Sequence, residues 1–221
     1  AELPPSYNAY KSQQHRWAKG TMQTARKLLP SLWRSSRSLR VKVQGTIHLT
    51  HYSLHLQMAL LALSIFPLLL GLSLHIGLYR SAIFLCLLIP AAAGPSFGYF
   101  VSQYHGYPRD WKRRVLRLPF LLVLGFGISL SNARAVLSGL FSNDRTFVRT
   151  PKKGAQGVKN YAVRRDRLPL FELLFAAYCA ATVAALLHLG EYALVPFVVI
   201  YTFGYGLVGM KSIGETRALA K

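Results

Sequence analysis

Residues 53–76 read Ser53-Leu-His-Leu-Gln-Met-Ala-Leu-Leu-Ala-Leu-Ser-Ile-Phe-Pro-Leu-Leu-Leu-Gly-Leu-Ser-Leu-His-Ile76, a run without a single Asp, Glu, Lys or Arg. At ~1.5 Å of rise per residue, about 20 such residues cross the ~30 Å hydrocarbon core of a bilayer as a helix. Three further blocks repeat the pattern: Ser81 to Ser102, Leu168 to Leu189, and Tyr192 to Met210. The second block carries no charge, and the third carries only Glu172, which is near enough to one end to be expected at the lipid headgroups. The fourth is shorter and holds Gly204, Gly206 and Gly209, residues that suit close helix packing in lipid. Pro67, Pro90, Pro95 and Pro196 fall inside these blocks, where they kink helices and free backbone carbonyls.

Outward from these blocks the composition changes sharply. The chain has 221 residues, with 27 Lys or Arg against 7 Asp or Glu, a formal charge of +20. Charged residues make up 15%, against about 25% in an ordinary soluble domain. The basic residues sit in short clusters between apolar runs, not spread over a solvated surface, so a soluble domain is excluded and nucleic acid is not the expected partner. The excess marks one side of a membrane.

A fifth apolar block, Leu118 to Leu130, is about 13 residues long before Asn132 and Arg134 interrupt it, which is short for a span. If it crossed, Arg145, Arg149, Lys152, Lys153, Lys159, Arg164, Arg165 and Arg167 would lie opposite Arg109, Lys112, Arg113, Arg114 and Arg117. The positive-inside rule disfavours that split and puts both groups in the cytoplasm, with Lys211, Arg217 and Lys221 beside them. Trp111 to Leu140 is therefore expected as a helical segment, continuous or broken, in the cytoplasmic membrane interface. Leu32 to Tyr52 has the same character, with Arg34, Arg37, Arg40 and Lys42 interleaved with Leu32, Trp33, Leu39, Val41 and Val43. Attraction to anionic lipid accounts for such a pattern at ~1 kcal/mol per basic residue.

The segment Lys11-Ser-Gln-Gln-His-Arg-Trp-Ala-Lys-Gly20 carries the most chemistry. Gln13, Arg16 and Trp17 fall at i, i+3 and i+4, on one face of a helix. A guanidinium can hold phosphate oxygens in bidentate fashion, and an indole can stack on a sugar ring, which together suit a phosphorylated sugar donor meeting a carbohydrate acceptor. The same residues also fit an interfacial Trp flanked by lipid-facing cations, and chemistry alone leaves both readings open.

Gln13-Gln14-His15-Arg16-Trp17 resembles the Gln-x-x-Arg-Trp signature of processive family 2 glycosyltransferases, the group of cellulose, mannan, chitin and hyaluronan synthases. Glu2-Leu-Pro-Pro5 before it and Ala18-Lys19-Gly20 after it are similar to the family's context. Downstream, Thr146-Phe147-Val-Arg-Thr150-Pro151-Lys152 resembles the gating-loop motif Phe-x-Val-Thr-x-Lys of cellulose synthases, with Arg149 at the usual Val, and Asn132-Ala-Arg-Ala-Val-Leu137 is similar to the bacterial cellulose-synthase-like branch. The resemblance covers essentially the whole chain. It implies that Trp17 stacks under the acceptor sugar at the mouth of a translocation channel, and that Gln13 and Arg16 help hold acceptor and donor pyrophosphate. It further implies that Phe147, Thr150 and Lys152 belong to a cytoplasmic loop that closes over the nucleotide. A hydroxyl and an ammonium can both bond diphosphate oxygens, and Pro151 stiffens the turn between them. Without the first motif, Thr150 to Gly154 would read as a plain basic loop.

Transfer from a nucleotide sugar needs carboxylates to hold a divalent metal and to deprotonate the acceptor hydroxyl. The seven acids are Glu2, Asp110, Asp144, Asp166, Glu172, Glu191 and Glu215, with no Asp-x-Asp pair among them. The resemblance places those motifs, with Mg or Mn, in an α/β catalytic domain upstream or on another chain, so no catalytic residue, metal site or cofactor is expected here. The start at Ala1, without an initiator Met or a signal-peptide pattern, reads as the continuation of something longer. Cys86 and Cys179 lie inside spans as small apolar residues. His48, His51 and His55 are spaced by three and four, a metal-ligand spacing if helical, but with no acid or Cys beside them they fit better as interfacial rings. Tyr99, Gln103, Tyr104, Tyr201 and Tyr205 suit a sugar path or, by default, helix packing.

The expectation is an all-α integral membrane chain without the α/β catalytic domain. It divides into interfacial helices with the first motif at 1–52, two transmembrane helices at 53–103, an interfacial segment at 104–140, a gating loop at 141–167, two transmembrane helices at 168–211, and a cytoplasmic tail at 212–221. By resemblance it is the channel portion of a synthase of a β-linked polysaccharide in a bacterial inner membrane, both termini cytoplasmic, with nucleotide sugar, glycan acceptor and lipids as partners. The alternatives are a non-catalytic scaffold subunit derived from such a synthase and a non-processive glycolipid glycosyltransferase.

Overall fold

A computed structural model describes residue 4 and residues 6–72, 96–142 and 166–218, and these contain helices and turns but no strand. The elements are α1 (Tyr7–Arg34), α2 (Leu39–Thr50), α3 (Ser53–Leu72), α4 (96–106), α5 (Trp111–Val115), α6 (Leu118–Gly127), α7 (Ser129–Phe141), α8 (Leu168–His188), a 3-10 turn (Tyr192–Leu194) and α9 (Val195–Ala218). Two helical stretches, Leu168–His188 and Tyr192–Ala218, are each long and apolar enough to cross a membrane. The number rises to four if two bent pairs each count as one span: Leu39–Thr50 with Ser53–Pro67, bent by 62°, and Trp111–Gly127 with Ser129–Phe141, bent by 47°. The chain is therefore all-helical over its described residues and has the composition of an integral membrane protein. Most of the second expected span and the expected gating loop, including Phe147, Thr150 and Lys152, lie outside the described residues.

The α8–α9 hairpin is the spine. α8 ends at Gly190, which takes φ +73°, the left-handed conformation that glycine enters without a Cβ penalty. The Glu191 N–H donates to the Leu186 carbonyl at 2.9 Å and the Gly190 N–H to Leu187 at 3.3 Å, a Schellman cap that reverses the chain. Close approach then depends on small residues. A Cβ on Gly209 would meet the Leu173 side chain at 3.0 Å and the Pro169 carbonyl oxygen at 3.1 Å. One on Gly204 would meet the Val123 oxygen at 2.7 Å and the Gly127 nitrogen at 2.8 Å, so α6 and α9 touch backbone to backbone. Tyr201, Tyr205, Val198, Leu186, Ile65 and Leu69 fill the main core.

The structure sharpens three of the sequence expectations. Trp111 to Leu140 is broken, into α5, α6 and α7. The chain bends at Ile128 while keeping its ladder, since Ile128 N–H still reaches Leu124 and Asn132 N–H reaches Ile128, both at 3.0 Å. α6 packs on α9 and α7 on α1 and α3, because α7 presents Ser129, Ser131, Ala133, Ala135 and Gly139 as a buried small-residue face. Glu172 does not reach toward headgroups: its side chain is fully buried, with the Lys11 Nζ 2.6 Å from one carboxylate oxygen and donating to the other at 2.8 Å. The expected tail at 212–221 is helical through Ala218, as the last two turns of α9.

That extension positions α1. Glu215 accepts the Tyr7 N–H at 2.7 Å and the Asn8 N–H at 2.9 Å, satisfying two of the donors every helix start leaves open. Ser6 caps Ala9 N–H at 3.2 Å, and Asn8 Nδ2 donates to the Ser212 carbonyl at 3.0 Å. Farther along, Ala18 and Met22 pack on Ala135 and Val136. A Cβ on Gly139 would strike the Lys19 carbonyl oxygen at 2.6 Å, which is how tightly α7 lies on α1. Arg26 closes the contact by donating to the Leu140 carbonyl at 2.8 Å.

Candidate functional site

After Arg34 the segment 35–38 turns the chain, and α2 runs back along α1. Trp33 Nε1 donates to Thr46 Oγ1 at 3.0 Å, and Lys42 Nζ to the Trp33 carbonyl at 3.0 Å. Two turns farther, Tyr52 OH reaches Gln14 Oε1 at 3.4 Å. Leu32 to Tyr52 is thus the end of one helix, a turn and a second helix. The antiparallel pair brings His48, Leu49, His51 and Tyr52 opposite Arg16, Trp17, Gly20, Thr21 and Thr24 around an open cleft of about 480 Å³.

Within Gln13-Gln14-His15-Arg16-Trp17 the work divides by helical angle. Gln14 meets Tyr52, and His15 Nδ1 lies 3.3 Å from the Ser131 carbonyl, so these two tie α1 to its neighbours. Burial pushes the His15 ring pKa below its ordinary value, with Arg134 and Lys19 acting in the same direction; the Ser131 carbonyl and Asp166 oppose. Arg16 and Trp17 are left at the cleft, and Trp17 is 52% exposed. Gln13 is half-buried one turn earlier and does not line the cleft. The structure thus brings together two of the three residues of the first motif.

The cleft adds rings the sequence reading did not connect with Trp17. His48 and His51 have ring centroids 6.0 Å apart, His51 and Tyr52 4.3 Å, and Tyr52 and His55 6.0 Å, a ladder across the α2–α3 bend. That bend also separates the imidazoles as ligands. His51 Nδ1 is engaged with the His48 carbonyl at 2.6 Å, and among the described residues no three His, Cys, Asp or Glu side chains converge on a metal position. The cleft lining holds no carboxylate, so it lacks the hard oxygen ligands that Mg or Mn requires. What it offers is an indole face, a phenol, two imidazoles and one guanidinium, groups that stack on sugar rings and bond hydroxyls or phosphate oxygens but cannot supply an acid pair.

Three of the described acids are committed elsewhere. Glu172 pairs with Lys11, Glu215 caps α1, and Asp166 Oδ2 accepts from Arg134 at 2.6 Å while Oδ1 accepts the Leu168 N–H at 3.1 Å at the head of α8. Of the polar aromatics considered as a sugar path, Tyr205 is buried against Ser129 Oγ at 2.8 Å and Tyr104 packs on Trp111. Tyr99 and Tyr201 line a separate, apolar cavity. No protein-family model and no solved structure matches this chain.

Proposed function

We propose that this chain is the membrane portion of a processive family 2 glycosyltransferase that polymerises a β-linked polysaccharide from a nucleotide sugar and moves it across a membrane. The observation that carries the reading is the Gln-x-x-Arg-Trp motif, whose Arg16 and Trp17 face an open, ring-lined cleft. In this reading Trp17 and the Tyr52 and His51 rings carry the acceptor sugar, and Arg16 faces the donor phosphates. Gln13 supports them from the next turn. Phe147, Thr150 and Lys152 form the loop that closes on the nucleotide. Four transmembrane helices with interfacial segments, both termini in the cytoplasm and a bacterial inner membrane complete it. Because the seven acids include no Asp-x-Asp pair, and Glu172, Glu215 and Asp166 are held in structural bonds, the carboxylates and the Mg or Mn belong in this reading to an α/β catalytic domain outside this sequence.

The test is polymer synthesis by the full polypeptide, with its catalytic domain, in membrane vesicles supplied with nucleotide sugars. Trp17→Ala abolishes polymer and Trp17→Phe restores part of it, since a phenyl face still stacks. Undiminished synthesis by Trp17→Ala overturns the assignment. The commitment of Glu172, Glu215 and Asp166 to structural bonds favours a second reading, a non-catalytic scaffold derived from such a synthase. A folded complex that transfers no sugar from any donor supports it.

A further inference from the structure

A second cavity, of about 390 Å³, lies between α3, α4, α6 and α9. Its wall is almost wholly apolar, with Met58, Leu61, Leu121, Leu122, Phe126 and Phe197 prominent. The volume is in the range of small-molecule sites. A glycan would lose its hydroxyls' hydrogen bonds here, because the wall returns almost none.

Two residues of this wall each carry a polar atom that has no hydrogen-bond partner among the described residues and no accessible surface toward the cavity. The Tyr201 hydroxyl is buried in a residue only 1% exposed, and His55 Nδ1 is buried as well. A third polar group points to where the cavity ends. Tyr99, which lines it, donates its hydroxyl to the Arg114 carbonyl at 3.2 Å. Leu118 and Leu121 of the wall follow directly on Lys112, Arg113, Arg114 and Arg117, a cluster with no acid inside it. Arg114 has its guanidinium 3.6 Å from the Tyr107 ring centroid, and its Nε is buried with no hydrogen-bond partner among the described residues.

We propose that this cavity takes an acyl chain of an anionic phospholipid drawn from the surrounding bilayer, with the lipid phosphate at Arg114 and Arg117. The tail satisfies the apolar wall. The cationic corner at the start of α6 selects the headgroup by charge. The proposal goes beyond the glycosyltransferase reading and rests only on the chain being embedded in a membrane, so its failure leaves the motif cleft untouched.

Gly125 supplies the test. It lines the cavity, and a Cβ added there meets nothing within 4 Å, so Gly125→Leu can fill the space without striking the backbone. The full polypeptide is delipidated in detergent and titrated with phosphatidylglycerol or phosphatidylcholine, and bound lipid is counted by native mass spectrometry. Wild type is expected to retain one phosphatidylglycerol and to prefer it over phosphatidylcholine by roughly tenfold or more. Arg114→Gln with Arg117→Gln brings the preference to parity while retaining a bound lipid. Gly125→Leu removes the retained lipid at unchanged helical content. Equal retention of both lipids by wild type overturns the proposal, as does undiminished phosphatidylglycerol on Gly125→Leu. The charge-neutral variant keeps the test decisive should the Leu variant fail to fold.

Discussion

The Lys11–Glu172 pair gives a prediction whose size follows from its burial. The Glu172 side chain is fully buried and that of Lys11 is 7% exposed, with Nζ bonded to the carboxylate and to Ser212 Oγ at 3.2 Å. Lys11→Met removes the cation and keeps most of the side-chain volume. It leaves a buried carboxylate whose cation is gone, with Asp166 as a charged neighbour acting on it. Breaking a buried pair from one side costs about 3–5 kcal/mol, because the surviving charge has lost both water and partner. For a chain of this size each kcal/mol moves the thermal midpoint by ~2–4 °C, so Lys11→Met is expected to melt about 6–20 °C below wild type. Adding Glu172→Leu removes the orphaned charge and returns the midpoint to near wild type or above it, since an apolar pair of similar volume owes no desolvation penalty. The assay is thermal unfolding of the four proteins of the cycle in one detergent, followed by circular dichroism. If Lys11→Met melts within about 1 kcal/mol of wild type, or if the two substitutions simply add, the pair does not fix α1 to the α8–α9 hairpin and the reasoning fails.

Other expectations follow from single contacts. Gly204→Ala drives a Cβ into the Val123 and Gly127 backbone and should destabilise by about 1–3 kcal/mol or more, whereas Gly214→Ala, with nothing within 4 Å, should stabilise α9 by ~0.5–1 kcal/mol; paired thermal melts compare them. Glu215→Ala strips two caps from α1 at a cost of about 1–2 kcal/mol, and amide exchange should speed at Tyr7 and Asn8 while the α8–α9 hairpin keeps its protection. Burial holds the folded His15 pKa below its unfolded value, so its contribution to stability is whole above about pH 6.5 and is lost as the pH falls through the lower folded value. His15→Gln should accordingly flatten the fall in thermal midpoint below about pH 6.5; an unchanged slope would show that the ring carries no such linkage.

Periodicity and length made the helices legible, and chain-scale packing decided what they did. The apolar runs after Ser53 and Leu168 appear as α3 and α8, since uninterrupted apolar sequence has few other ways to satisfy its backbone in lipid. Charge was the less faithful guide. Glu172 near a helix end reads as a headgroup ligand until its partner is known, and that partner lies 161 residues away on another helix. The segment Trp111 to Leu140 reads as interfacial because its apolar run is short and flanked by basic residues on both sides, a reading that says nothing of its small residues, which are what allow α7 to lie against α1. At the cleft, the spacing of Arg16 and Trp17 gave their shared face, but His48, His51 and Tyr52 are more than thirty residues on. The signal that joins them is the Ser35-Ser36-Arg37-Ser38 break, too short to do anything but return the chain along α1.

The two walls of that cleft are held very differently. α1 is capped by Glu215, pinned through Lys11 to Glu172 and Ser212, and pressed on α7 at Ala18, Met22 and the Gly139 crossing. Lys11 precedes Arg16 by about one and a half helical turns, so a shift of the α8–α9 hairpin carries Arg16 and Trp17 with it. α2, by contrast, buries no residue of its own and leaves Leu39, Val41, Val43 and Ile47 exposed. Its described ties to α1 are a few hydrogen bonds and the Leu32 contact at Gly45. An element with so little buried apolar area opens at lower free energy than one packed along its length. The Arg16–Trp17 wall is therefore the fixed side of the cleft, and the His48–Tyr52 wall is the side that opens at lower free energy.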